Sequence, residues 1–160
     1  MLDTKNFIIK TGVRTFEAAA YLRKIGADTV EVRRMFALSM ESYQRRAKLV
    51  ANAEVYRGCA IAVSPDRDAP DIQVTAAQAA DELLGIIGVQ ASFLVFEMNG
   101  GVSISARSMG QLNVQIIMEM LGGGGHLTMA GAQMTGIGAE KAKELLVGAI
   151  DAYFEENSRK

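Results

Sequence analysis

Hydrophobic residues recur at helical spacing near both ends of the chain and alternate with polar ones in the middle. Over 16–25, and again over 30–53, the apolar positions fall three or four apart. In the second stretch Val32, Phe36, Met40, Tyr43, Ala47 and Val50 make one stripe, which predicts a continuous helix. Asp28 followed by Glu31 has capping-box spacing at its start. The texture then changes. Residues 59–63 read as a buried strand, and 64–71, with Pro65, Pro70 and several aspartates, as a polar loop. Thr75 with Gln78 predicts a second capping box and a helix through Ile87 that ends at Gly88. Strands over 92–98 and 102–106 form a hairpin turned by Asn99, Gly100 and Gly101. Asn113 caps an apolar helix to Leu121, and a strand follows over 130–135. A last helix over 139–156 places Ala142, Leu145, Leu146, Ala149, Ile150 and Tyr153 on one face. Strands interspersed with helices predict the α/β class, a mixed sheet covered by helices. No internal repeat or low-complexity tail interrupts this plan.

Composition narrows the chemistry. With 160 residues, 49% hydrophobic and 22% charged, the chain can bury a sizeable core. Its formal charge of −1 supplies no global field toward nucleic acid or an anionic membrane, so any anion must be bound locally. Arg33, Arg34, Arg45, Arg46 and Lys48 give the second helix a basic face; without interleaved aromatics it reads as solvated surface. The single cysteine, Cys59, lies in an apolar run and reads as a buried small hydrophobe in a reducing compartment. No apolar stretch approaches the ~20 residues of a membrane span, and the amino terminus lacks the plan of a signal peptide. A cytoplasmic chain without membrane contact is the expectation.

The most informative segment is Gly122, Gly123, Gly124 and Gly125, followed by His126, the only histidine. Four glycines exceed what a helix C-cap requires, and each costs conformational entropy when ordered. Glycines admit positive φ and close approach to successive N–H groups, which can form an anion-binding nest. His126 can donate a hydrogen bond to a phosphoryl oxygen. The run fits neither a Walker loop, since no Lys-Ser/Thr pair follows, nor a dinucleotide fingerprint, since a helix precedes it. On the residues alone two readings stand: a phosphate site, or a flexible connection with a satisfied histidine. Arg107, at the end of the alternating strand, is likewise either a guanidinium fork for phosphate or one half of a surface ion pair.

Three strings carry a resemblance: Ser105, Ala106, Arg107, Ser108; then Asn113, Val114, Gln115; then Met118 through the glycines to His126, Leu127 and Thr128. Together they resemble the signature of the domain that follows the catalytic domain in DHH-family phosphoesterases. The four-glycine form is similar in particular to the membrane-anchored bacterial phosphodiesterases that linearise cyclic-di-AMP. Met1, Leu2, Asp3 and Thr4, with Phe7 and the run from Gly12 to Ala20, resemble the last motif and closing helices of the DHH catalytic domain. The resemblance implies two parts, a remnant of the catalytic domain with a linker helix over 1–53 and a DHH-associated phosphate- and nucleotide-binding domain over 54–160.

It also implies roles. Gly122, Gly123, Gly124, Gly125, His126 and Arg107 would bind substrate. Asp3 matches a ligand of the family's manganese pair, but the Asp-His-His motif and the ligands before it are absent, so the fragment is expected to hold no catalytic residue and no manganese of its own. The expected ligand is cyclic-di-AMP or a related adenine dinucleotide. The expected partners are the missing amino-terminal catalytic half and a second copy in a homodimer, within a parent protein anchored to a membrane. The competing class is a single-stranded nucleic-acid or oligonucleotide module of an exonuclease-like DHH protein, which a basic groove with stacking aromatics would favour.

Overall fold

Alternation along the central strands decides the architecture. The computed structural model describes Thr4, Phe7 and residues 11–67 and 71–158. The chain divides into two compact units, Met1–Ser39 and Met40–Lys160, ahead of the division drawn at 53/54 from the sequence.

In the first unit α1 (Val13–Lys24) and α2 (Thr29–Arg34) are short helices with no buried residue. Asp28 caps α2 as expected, its Oδ1 accepting from the Val30 N–H at 2.7 Å and the Glu31 N–H at 3.4 Å. The continuous helix predicted over 30–53 is two: α2 ends at Arg34 and α3 (Met40–Ala51) belongs to the second unit. Phe16, Tyr21, Leu22 and Ile25 on and just after α1 are all more than half exposed.

The second unit is a six-stranded mixed sheet with helices on both faces. The strands are β1 (Glu54–Tyr56), β2 (Cys59–Arg67), β3 (Ala91–Met98), β4 (Gly101–Ser108), β5 (Gly124–His126) and β6 (Met129–Thr135), in spatial order β1-β2-β3-β4-β6-β5. Only β2 and β3 run parallel, joined through α4 (Ile72–Leu83); every other neighbour pair is antiparallel. In β3 Phe93 and Val95 point to one face and Leu94 and Phe96 to the other, as a period of two requires. The first face packs with Ile61, Ile104, Ile117, Met118, Leu146 and Ile150, under α5 (Val114–Met120) and α6 (Ala139–Ser158). The second packs with Leu49 of α3 and with Ala76, Ala79, Ala80 and Leu83 of α4, whose small side chains bring that helix close to the sheet. Cys59 is fully buried in the first cluster, and burial pushes its thiol up to about 11, so it acts as packing and not as a nucleophile.

Three local expectations are corrected. Helix α4 starts at Ile72 after Asp71, so Thr75 is a buried interior residue and not a cap; apolar packing on the sheet outweighed the capping spacing. Strand β2 continues to Arg67 through residues expected in the loop. The strand β1 at the sheet edge was not anticipated. The β3–β4 turn forms as expected, with Asn99 at φ 54° and Gly100 at φ 72°, the left-handed pair of a two-residue hairpin. Among the described residues no helix is long and apolar enough to cross a membrane.

Candidate functional site

Helices α3 and α4 cover only part of the second face, so β4 and β6 leave a groove of about 690 Å³ beside α4. The register explains its floor. Ser103, Ser105 and Arg107 alternate on β4, opposite Gln133, Gly131 and Met129 of β6. These six line the groove, with Gln73 and Ala77 of α4 along one side and Gly122, Gly123 and Gly124 on the other.

Arg107 is the charged residue of this groove. Its side chain is only 13% exposed, its Nη1 donates to the Ala106 carbonyl at 2.9 Å, and its Nε is buried without a hydrogen bond. The Asp81 carboxylate stands 3.6 Å from that Nε, too far for a good hydrogen bond. Burial lowers the Arg107 pKa from its ordinary value, with Asp81 opposing the shift. A desolvated guanidinium with an incomplete partner favours an arriving anion. A second cleft, of about 520 Å³ between α3 and the end of β2, differs: of its cations Arg45, Lys48 and Arg67, two already hold carboxylates, Arg45 with Glu41 at 2.6 Å and Arg67 with Glu97 at 2.9 Å, although Arg45 Nε is also buried and unbonded.

The four glycines divide their work. Gly122 N–H donates to the Glu119 carbonyl at 3.0 Å and Gly123 N–H to the Met118 carbonyl at 2.8 Å, with Gly122 at φ 76°. This pair of bonds is a Schellman close to α5, so two of the N–H groups expected in an anion nest are consumed by the helix end. A Cβ on Gly123 would strike the Gly131 carbonyl and Ala132, and one on Gly125, at φ 150°, would strike Ala130 and the Met129 carbonyl. Gly122 and Gly124 both face open space, but Gly122 is held at φ 76°, so Gly124 alone is free of both a clash and a positive φ. Gly124 is thus the most tolerant of the four. The approach of β5 to β6 therefore explains Gly123 and Gly125, a packing role the sequence reading did not assign.

His126 is exposed and pairs with Met129, which itself pairs with Arg107. One row across β5, β6 and β4 thus holds His126, Met129 and Arg107, with neighbours about 5 Å apart in the pairing direction. Arg107 and Gly122 to Gly124 meet in the groove; Gly125 and His126 stand beside it. Asn113 is the cap of α5, accepting from the Gln115 N–H at 3.1 Å, and its own N–H donates to the Tyr153 hydroxyl at 3.1 Å. The Ser108 hydroxyl closes the turn, donating to the Leu127 carbonyl and accepting from the Gly110 N–H, both at 3.2 Å. Ser103, Gln73 and Gln133 escaped the sequence reading as site residues. The available signal was the polar alternation Ser103, Ser105, Arg107 on a strand whose other face carries Val102, Ile104 and Ala106.

Asp3 lies outside the described residues. Among the described residues no three His, Cys, Asp or Glu side chains stand together as a metal site, so these residues by themselves supply no donor set for the manganese implied by the resemblance.

The sheet order defines a mixed α/β domain with a groove between Arg107 and the glycines, and residues 59–156 match the DHHA1 domain model; the chain belongs to the DHHA1 family. It is 50% identical over 158 residues to the cyclic-di-AMP phosphodiesterase GdpP of Bacillus subtilis and 46% identical over 157 residues to the cyclic-di-AMP phosphodiesterase PdeA of Listeria monocytogenes. Each alignment covers 97% of this chain and 24% of the relative, so the chain spans about a quarter of their length. In fold it is similar to an exopolyphosphatase-related protein from Bacteroides fragilis, with a TM-score of 0.83 at 22% identity over 96% of this chain and 47% of that one.

Proposed function

We propose that this chain is the substrate-recognition part of a metal-dependent phosphodiesterase acting on cyclic-di-AMP. It binds the dinucleotide through Arg107, the Gly122 to Gly125 segment and His126, while hydrolysis belongs to residues of a longer protein. The observation that carries the reading is Arg107, a nearly buried guanidinium whose Nε has no hydrogen-bond partner, opening on the groove that Gly124 leaves unobstructed. The likeness to cyclic-di-AMP phosphodiesterases supports the choice of substrate. A single-stranded nucleic-acid platform has less support, because the only aromatic ring lining the groove among the described residues is Phe96, 2% exposed and already packed in the core.

Calorimetric titration with cyclic-di-AMP tests the proposal. Arg107→Lys keeps the charge and removes the planar fork, and it is expected to lose most of the affinity. His126→Ala is expected to weaken binding by about 1 to 3 kcal/mol, the range for a hydrogen bond to a charged group. Parent-like affinity in both variants, each with a native melting profile, would remove phosphate recognition from this groove.

A further inference from the structure

We infer that the groove is laid out along one nucleotide, with phosphate at the Arg107 end and base at the other, where Gln133 reads adenine. This rests on the nucleotide-binding role proposed above. Arg107 and Ser103 are four residues apart on one antiparallel strand, about 13 Å, which an extended nucleoside monophosphate spans. Between them the floor is Ser105 opposite Gly131, a short hydroxyl and no side chain at all, which leaves room for a ribose. A Cβ on Gly131 would already stand 3.0 Å from the Ile104 carbonyl, so close strand packing keeps that gap open.

Past the gap the lining becomes neutral and amide-bearing. Gln133 is paired with Ser103 across the strands, and Gln73 lines the groove from α4. Both glutamines are exposed, and among the described residues neither side chain makes a hydrogen bond, so their amides are available to a ligand. A carboxamide matches adenine in two places at once: Oε1 accepts from the exocyclic N6 amine and Nε2 donates to N7. Guanine presents two acceptors, O6 and N7, on that edge, so the same amide satisfies only one of them in either orientation. Gln133 is the one on the strand beside Arg107's, on the same face as Gly131 and Met129 and four residues beyond Met129, the residue paired with Arg107.

The experiment titrates cyclic-di-AMP and cyclic-di-GMP separately into the parent chain, Gln133→Leu and Arg107→Lys. The parent is expected to prefer cyclic-di-AMP. Gln133→Leu is expected to lose about tenfold for cyclic-di-AMP and little for cyclic-di-GMP, collapsing the preference. Arg107→Lys is expected to weaken both and keep their ratio. Should Gln133→Leu alter the melting profile, Gln133→Ala is read in its place. An unchanged ratio in a folded Gln133 variant overturns the inference while leaving the groove's phosphate role standing. Failure of the parent to bind either dinucleotide overturns both.

Discussion

Glycine carries opposite meanings at adjacent positions of this chain. Gly123 and Gly125 are small because β6 passes against them, whereas Gly124 opens on the groove. Gly123→Ala and Gly125→Ala are therefore expected to destabilise the fold by about 1 to 3 kcal/mol, as over-packing and positive φ require. Gly124→Ala is expected to leave stability within about 0.5 kcal/mol and to act on ligand affinity instead. Chemical denaturation of the three variants checks this, and equal losses at all three would contradict the geometry. The same contrast marks what was legible. The residue types Arg107, Gly122 to Gly125 and His126 stand out in the sequence, but which glycine serves packing and which serves the groove depends on β6, whose contribution comes from residues near 131.

Elements here are held by a few polar contacts at their ends. Helix α6 is tied to the β1–β2 hairpin through Asp151, which accepts from the Tyr56 hydroxyl at 2.9 Å and the Arg57 Nη1 at 2.7 Å, while Arg57 lies over the Phe154 ring at 4.7 Å. The hydrogen bond from Arg57, then that from Tyr56, lowers the Asp151 pKa from its ordinary value. A carboxylate whose pKa is depressed on folding adds stability above its unfolded pKa, and loses it as pH falls through the folded pKa. Asp151→Asn is thus expected to lower the melting temperature modestly at neutral pH, with the difference from the parent vanishing in acid below the carboxylate range. A difference that persists unchanged in acid would show that the carboxylate charge is not the source. Neither contact could be read from the sequence, because Tyr56 and Asp151 are ninety-five positions apart.

On the scale of the whole molecule, the function proposed above separates recognition from chemistry. The chain has one histidine, and its described residues hold no metal-ligand cluster, whereas metal-assisted attack on a phosphodiester needs a held cation and an activated water. Incubation of the 160-residue chain with cyclic-di-AMP and manganese is expected to give no linear dinucleotide, beside a longer chain carrying the Asp-His-His motif that does. Metal-dependent turnover by the short chain, abolished by Asp3→Ala, would place catalysis within it.

Local pattern determined most of the elements. Period-two alternation announced β4, the hairpin turned at Asn99 and Gly100 paired it with β3, Asp28 and Asn113 announced two helix caps, and a stripe of apolar positions α6; each of these depends on residues close in sequence. Tertiary structure decided what neighbours cannot report. It broke the long amino-terminal stripe between Arg34 and Met40, started α4 ahead of Thr75, and added β1 as an edge strand. Above all it made the groove. Ser103, Gln133 and Gln73 are unremarkable polar residues until strand register and the crossover through α4 bring them to one surface. Arg107 becomes a candidate anion site only because packing buries its guanidinium and holds Asp81 just beyond good hydrogen-bonding distance.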